Sequence, residues 1–311
     1  MIEDRLLGRL RSRLGSSSPI GDDAAILALQ GEVAVTVDSQ ISGVHFVPDL
    51  DPAQVARRLL AVNMSDLAAM GAEPAHAFLA LSAPGGFDHD RFFRSFVEAC
   101  RRWNVTLAGG DLSRCDQVVA TLTLIGTKPE GGRWLHRNGA KPGHGLWLGG
   151  TVGESAAGRI LIARGATHPS RLRTAARRAV RRHLLPVPQI ELGAWLGRQS
   201  EGAAMDVSDG LALDLHRLCR ESGAGAVIDA EVLPWPDRFF DLCKVLDADP
   251  FELALGGGED YVLLFTLPPD VYPPDSFACR RIGTILRNKK IEWIREGRRR
   301  RLPATGWDHL A

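Results

Sequence analysis

Carboxylates recur in this sequence beside glycine or serine, in short motifs flanked by apolar runs. Asp22 and Asp23 lie in GDDAA, Asp38 in TVDSQISGVHF and Asp66 in VNMSDLAAMGAEP. Asp111 lies in GGDLSR, Asp206 and Asp209 in MDVSDG, and Glu259 and Asp260 in GGGEDY. Taken singly, several have an ordinary structural explanation. Asp66 and Asp209 follow serine where a helix could open, which is the place for a capping side chain. Asp23 suits a turn, and Glu259 and Asp260 suit a turn before a strand. Capping explains neither Asp38 nor Asp111, each at the end of an apolar strand. Clustered carboxylates repel one another and need a counter-charge. No lysine precedes Lys128, so lysine cannot supply it in the first part of the chain. A divalent cation can. Magnesium suits an all-oxygen donor set, usually a few carboxylates plus waters and substrate phosphates. Zinc is disfavoured, because the histidines form no H-E-x-x-H and keep no close company with cysteine. Glycine-rich loops beside such a cluster expose backbone N–H groups to phosphate oxygens, which points to phosphoryl chemistry. The sequence has no G-x-x-x-x-G-K-[ST], no G-x-G-x-x-G after a strand and no H-R-D, so an ATP enzyme here would use a less common fold.

The elements that must position these residues can be read in outline. Residues 2–14 read as an amphipathic helix, and EVAVTVD as a strand. DPAQVARRLLAVNMSDLAAMGA reads as a helix starting at Asp51 with Pro52 at its first position. AHAFLALSAP is a strand and DRFFRSFVEACRRWN a helix. VTLAGGD and VVATLTLIGT read as neighbouring strands around a Gly-Gly-Asp turn. RNGAKPGHG, 137–145, is a turn cluster, and LWLGG after it a new strand. Helices follow in 153–165, 170–184 and 188–199. Then come the strand AAMDVS, the helix GLALDLHRLCRES and the strands GAVIDA, YVLLFTL and RRIGTIL. Ser-Asp reads as a helix opening in each half, at 65–66 and at 208–209. The irregular alternation predicts an α+β fold, not a doubly wound parallel sheet. It predicts two domains, residues 1–139 and 140–311.

Composition narrows the function classes. The 311 residues are 45% hydrophobic and 24% charged, with a net charge of +1, so no global bias favours nucleic acid. The arginines of RLRTAARRAVRRHL and REGRRRRLP read as solvated faces and a hairpin edge, since no aromatic residues interleave. Five cysteines at 100, 115, 219, 243 and 279 form no C-x-x-C, which suits free thiols in a reducing compartment. The first residues have no apolar core and read as no signal peptide, and no run approaches the roughly 20 apolar residues of a membrane span. A cytoplasmic location is expected, with no membrane or nucleic-acid partner.

The order GDDAA, VDSQISGVHF, VNMSDLAAMGAEP, GGDLSR, RNGAKPG, DVSDGLALDL, GGGEDYVLLFT and GWDHL closely resembles the thiamine-monophosphate kinase family, over residues 20 to 309. That family belongs to the ATP-binding superfamily of aminoimidazole ribonucleotide synthetase. The resemblance implies two α+β domains, a homodimer through the N-terminal domains, and transfer of the γ-phosphoryl of ATP to thiamine monophosphate. It implies several magnesium ions on Asp23, Thr36, Val37, Asp38, Asp66, Asp111, Asp206 and Asp209. It places Gly110, Asp111, Arg137 and Ser208 on ATP, and His45, Glu259 and Trp307 on the thiamine phosphate. Asp66, Asp111 and Arg137 would then be catalytic. The chain departs from the family pattern at Val37, Leu112 and Val262, without losing a carboxylate. Free of any family, His45 reads as a satisfied histidine and Trp307 equally as C-terminal packing or as a stacking surface. The competing readings are a sensor that binds nucleotide or thiamine phosphate without turnover, another ATP enzyme of the superfamily, and a polynucleotide binder using the Arg-rich helix.

Overall fold

The computed structural model describes residues 2–15, 24–29, 31–165 and 172–307. They form an α+β fold in two compact units, one made of residues 1–67 and 72–129, the other of 68–71 and 130–311. Among the described residues no helix is long and apolar enough to cross a membrane.

The first unit holds α1 (Ile2–Leu14), β1 (Val33–Ile41), α2 (Pro52–Ala69), β2 (Glu73–Ala83), α3 (His89–Arg102), β3 (Thr106–Arg114) and β4 (Val119–Thr127). Helix α2 begins at Pro52, as expected. The Asp51 carboxylate accepts from the Ala53 amide at 2.9 Å and from the Arg91 guanidinium, which together hold its pKa down at about 2. Ser65 and Asp66 do not open a helix: they sit inside α2, because the helix-forming run before them is unbroken. The four strands lie in the order β1-β4-β2-β3. Thus β3 and β4 are not neighbours as the sequence suggested. Strand β2 lies between them, parallel to β3 and antiparallel to β4. The Gly-Gly-Asp segment is also no turn. Gly109, Gly110 and Asp111 run through the middle of β3. A Cβ on Gly110 would lie 1.9 Å from the Leu79 carbonyl oxygen, so only glycine permits this approach.

One face of this sheet is covered. Ala120, Leu122 and Leu124 alternate inward along β4, and Leu79 and Leu81 along β2. The helices contribute Leu59, Leu60, Met64, Phe92, Phe93 and Phe96, all essentially inaccessible. The other face is open: Val35 and Val37 are 56% and 58% exposed, and Phe78 is half-buried.

The second unit holds β5 (Gly145–Leu148), α4 (Glu154–Ala163), α5 (Arg173–Leu184), α6 (Ile190–Gly197), β6 (Ala204–Asp206), α7 (Leu211–Ser222) and β7 (Gly225–Asp229). It continues with α8 (Phe239–Leu246), α9 (Pro250–Gly256), β8 (Leu263–Leu267), β9 (Arg280–Leu286), β10 (Ile291–Arg295) and β11 (Arg298–Arg301). A seven-stranded mixed sheet runs β11-β10-β7-β9-β5-β8-β6. Its short inner strands, GLWL and LLFTL, are buried throughout and so show no alternation. The arginine-rich tail is an exposed edge hairpin of β10 and β11, where charge discourages edge pairing. Leu211, Leu215 and Leu218 of α7 pack with Leu146, Leu148 and Leu264 of the sheet in one core. A second core joins α4, α5 and α8 through Leu161, Ala176, Phe239 and Leu242.

Candidate active site

In the first unit, β1 and α2 bring Thr36, Asp38 and Asp66 together. The Thr36 hydroxyl donates to Asp66 Oδ2 at 2.5 Å. The Asp38 amide donates to Asn63 Oδ1 at 3.1 Å, and Asn63 in turn donates to the Leu59 carbonyl at 2.8 Å from a fully buried position. Asn63 is a supporting residue that sequence reasoning missed. Its signal was the N-x-x-D spacing, which puts Asn63 and Asp66 on one face of a helix. Val37 points its side chain to the open face, so only its main-chain carbonyl could serve as a ligand.

Asp111 is not gathered with them. Gly110 lies in the same cross-strand row as Asp38, through Leu122 and Leu79. That row spans three strand spacings, about 14 Å. Asp111, one residue on, pairs with Ala80, which pairs with Thr121, which pairs with Ser39, so it sits on the opposite, open face of the sheet. Its Oδ2 accepts from the Ser113 hydroxyl at 2.8 Å. His45 follows β1 and accepts the Ile41 amide on Nδ1 at 3.1 Å, which puts the proton of the neutral ring on Nε2. Asp23 lies outside the described residues.

In the second unit, main-chain hydrogen bonds bind three separate motifs into one loop cluster. The Glu259 amide donates to the Ser208 carbonyl at 2.6 Å, and the Tyr261 amide to that of Val207 at 2.8 Å. The Trp307 amide donates to the Asp209 carbonyl at 2.8 Å. Glu259 and Tyr261 hold φ of 61° and 49°, a left-handed conformation that non-glycine residues adopt at a cost of about 1–3 kcal/mol when the surroundings enforce it. Trp307 is 47% exposed.

Asp206 ends β6, and Asp209 precedes α7. The first turn of α7 adds Asp214, fully buried, whose Oδ2 accepts the Asp209 amide at 3.1 Å. Arg217 bridges Asp214 and Asp209. Burial, and then the charges of Asp206 and Asp209, push the Asp214 carboxyl up to about 7. Asp214 and Arg217 were legible only as the helix period, three and four residues apart on the face that carries Leu211 and Leu218. Arg137 stands apart. It is exposed, and its carbonyl accepts from Ser222 at 2.7 Å, at the far end of α7 from Asp209. Eleven residues of helix at 1.5 Å each put its main chain roughly 17 Å away.

In each unit the donors fit magnesium in kind: Thr36, Val37, Asp38 and Asp66 offer a hydroxyl, a carbonyl and carboxylates in the first, and Asp206 and Asp209 carboxylates in the second, with no sulfur and no imidazole among them. Among the described residues no three His, Cys, Asp or Glu groups converge as a complete cage. Magnesium does not require one, since it keeps waters and phosphate oxygens in its shell.

This mixed two-unit fold, with oxygen-rich loops in each unit, is that of the AIR-synthase-related proteins, and residues 21–127 match the family described as AIR synthase related protein, N-terminal domain. The chain is 41% identical over 273 residues to the thiamine-monophosphate kinase of Salmonella typhimurium, covering 85% of this chain and 81% of that one. It is 38% identical over 326 residues to that of Escherichia coli K12, covering 99% and 96%. The chain belongs to the thiamine-monophosphate kinase family. Among solved structures, AaThiL complexed with AMPPCP and TMP superposes with a TM-score of 0.82 at 29% identity, over 99% of this chain and 96% of that one. The thiamine-monophosphate kinase of Stenotrophomonas maltophilia gives 0.81 at 33% identity, over 93% and 95%. The hydrogenase maturation protein HypE, in complex with ATP, shares the fold alone, with a TM-score of 0.78 at 20% identity.

Proposed function

We propose that this chain phosphorylates thiamine monophosphate with ATP, giving thiamine diphosphate and ADP. The observation that carries the reading is the loop cluster of the second unit. It ties the DVSDG, GGGEDY and GWDHL motifs together by main-chain bonds, in a chain 38% identical to a thiamine-monophosphate kinase over nearly its whole length. A phosphate oxygen of thiamine monophosphate attacks the γ-phosphorus of ATP. The bond from that phosphorus to the β,γ-bridging oxygen breaks, and ADP leaves with the electron pair. The attacking oxygen is already ionised near neutrality, because a monoester's second pKa is about 6. No protein base is then needed, and the chain's task is to align two anions and offset their charge.

Within this reading Asp23, Thr36, Val37, Asp38, Asp66, Asp111, Asp206 and Asp209 would hold magnesium. Bound there, the metal supplies positive charge against the phosphates. Gly110, Asp111, Arg137 and Ser208 would take the nucleotide, with Asp66 nearest the transferred group. His45, Glu259 and Trp307 take the thiamine phosphate. The N-terminal domain, expected over residues 1–139 and compact over 1–67 and 72–129, would bind nucleotide and metal, and the C-terminal domain, expected over 140–311, would complete nucleotide and substrate binding. The open sheet face with Val35, Val37 and Phe78 supports a homodimer through the N-terminal domain, because apolar sheet faces are usually covered. A cytoplasmic location accords with five free cysteines.

The test is an assay of purified protein with ATP, magnesium and thiamine monophosphate, with free thiamine, no acceptor and a metal chelator as controls. Thiamine diphosphate and ADP formed only with the monophosphate and only with magnesium is the expected result. Magnesium-dependent binding of either ligand with no ADP release would replace the kinase by a sensor.

A further inference from the structure

We propose that His183 is a positioning residue for Glu259, and through it for recognition of the phosphorylated acceptor. The inference rests on the kinase reading above. His183 sits in the last turn of α5 and is 7% exposed. Its Nδ1 lies 3.2 Å from Glu259 Oε2 and 3.2 Å from the hydroxyl of Ser155, itself fully buried in the first turn of α4. A bare Nδ1 lone pair would face the lone pairs of a carboxylate, so Nδ1 carries the proton and donates it towards Glu259.

Two observations separate this contact from ordinary loop anchoring. First, the loop is already anchored without the Glu259 side chain. The neighbouring Asp260 is fully buried and its carboxylate accepts the Gly153 amide at 2.7 Å and the Ser155 amide at 3.2 Å, capping α4. Arg182, adjacent to His183, donates to the Asp260 carbonyl at 2.9 Å. Second, the Glu259 side chain keeps 24% exposure while its histidine partner is buried. A buried donor that grips one oxygen of a partly open carboxylate fixes its rotamer and leaves it presented outward. Such a preset acceptor suits a cationic ring or an amino group, which thiamine phosphates carry. It removes ordering cost that binding would otherwise bear. The family motif GGGEDY does not contain this histidine, which lies some 75 residues earlier in the chain, in RRAVRRHLL.

Two variants of similar polarity separate positioning from packing. In His183→Asn the amide nitrogen falls near the place of Nδ1, whereas in His183→Gln it falls near the place of Nε2. We expect His183→Gln to raise the KM for thiamine monophosphate about tenfold, a loss of roughly 1.4 kcal/mol, with the ATP KM within about twofold. His183→Asn should recover most of that loss. Thermal unfolding of both variants serves as the control for folding. Equal effects on both KM values, no effect on either, or an Asn variant as poor as the Gln variant while equally stable would overturn the inference and leave the kinase reading standing. No thiamine diphosphate from the unaltered chain would overturn both.

Discussion

The amide of Trp307 donates to the carbonyl of Asp209 at 2.8 Å, so an aromatic ring near the end of the described chain is held by the loop that precedes α7. The two residues lie nearly a hundred positions apart in sequence. Asp209 is a buried carboxylate among other carboxylates, and Trp307 is a tryptophan left 47% exposed. Joined, they fix the main chain of a partly exposed tryptophan beside an acidic loop, and an indole there suits a cationic heteroaromatic substrate that carries phosphate.

Trp307→Ala should therefore raise the KM for thiamine monophosphate by about tenfold, while the ATP KM moves less than about threefold. Steady-state kinetics with each substrate varied in turn gives the comparison. Equal increases would return Trp307 to a packing role.

Asp66 is half-buried, and its carboxylate already accepts the Thr36 hydroxyl. An amide at this position keeps the acceptor oxygen but not the charge. Asp66→Asn should lower kcat by at least about a hundredfold and change stability by no more than about 1 kcal/mol. Turnover near the unaltered level would remove Asp66 from the metal-binding set. A loss of activity matched by loss of the unfolding transition would mean that the residue is structural.

Much of this arrangement was legible in the sequence, and the gaps have physical causes. Asp51-Pro52 announced the start of α2, because a capping carboxylate and a fixed φ act locally. Gly109-Gly110 looked like a turn because glycine permits turns. Here the same lack of a side chain lets β3 pass close to the Leu79 carbonyl, a contact between strands that composition cannot report. Ser65-Asp66 looked like a helix opening because it matches a local cap, but the helix had begun at Pro52. The insertion of β2 between β3 and β4 is a long-range pairing that no local pattern encodes. Motif order marked Asp209, Glu259 and Trp307 as related. Only the fold supplied the supports: Asn63 behind Asp38 in the first unit, His183 behind Glu259 and Asp214 with Arg217 behind Asp209 in the second, all on helix faces that read simply as core.

Thiol reactivity offers a check on packing in both units. Burial pushes Cys100, Cys219, Cys243 and Cys279 up to about 12. At pH 8 only about one in ten thousand of such groups is thiolate. Iodoacetamide at that pH should label half-buried Cys115 first, half-buried Cys279 more slowly because its thiol is raised, and buried Cys100, Cys219 and Cys243 only after denaturant is added. Mass spectrometry of tryptic peptides reads the order directly. Early labelling of Cys100 or Cys219, both essentially inaccessible, would contradict the packing of α3 or α7.

Asp260 makes a prediction about pH. Burial raises its carboxyl from 3.8 to about 7, outweighing the bonds from Gly153 and Ser155 and the charge of Arg182, all of which pull it down. Between those two values the folded chain holds a proton that the unfolded chain has released. Stability therefore falls as pH rises through the window from about 4 to about 7, and is flat in this group above and below it. The largest change a shift of this size allows is about 4 kcal/mol, at 1.36 kcal/mol per unit. Asp260→Asn keeps an oxygen for the Gly153 amide and cannot ionise, so it removes this contribution. Buried Asp214, also raised, titrates in the same direction, so the unaltered chain alone cannot isolate Asp260. The difference between the two proteins can. Denaturant unfolding at pH 4.5 and pH 8 should show the variant gaining on the unaltered chain as pH rises. A constant difference across that range would mean that Asp260 is ionised throughout, with the amides of α4 sufficient to hold its charge.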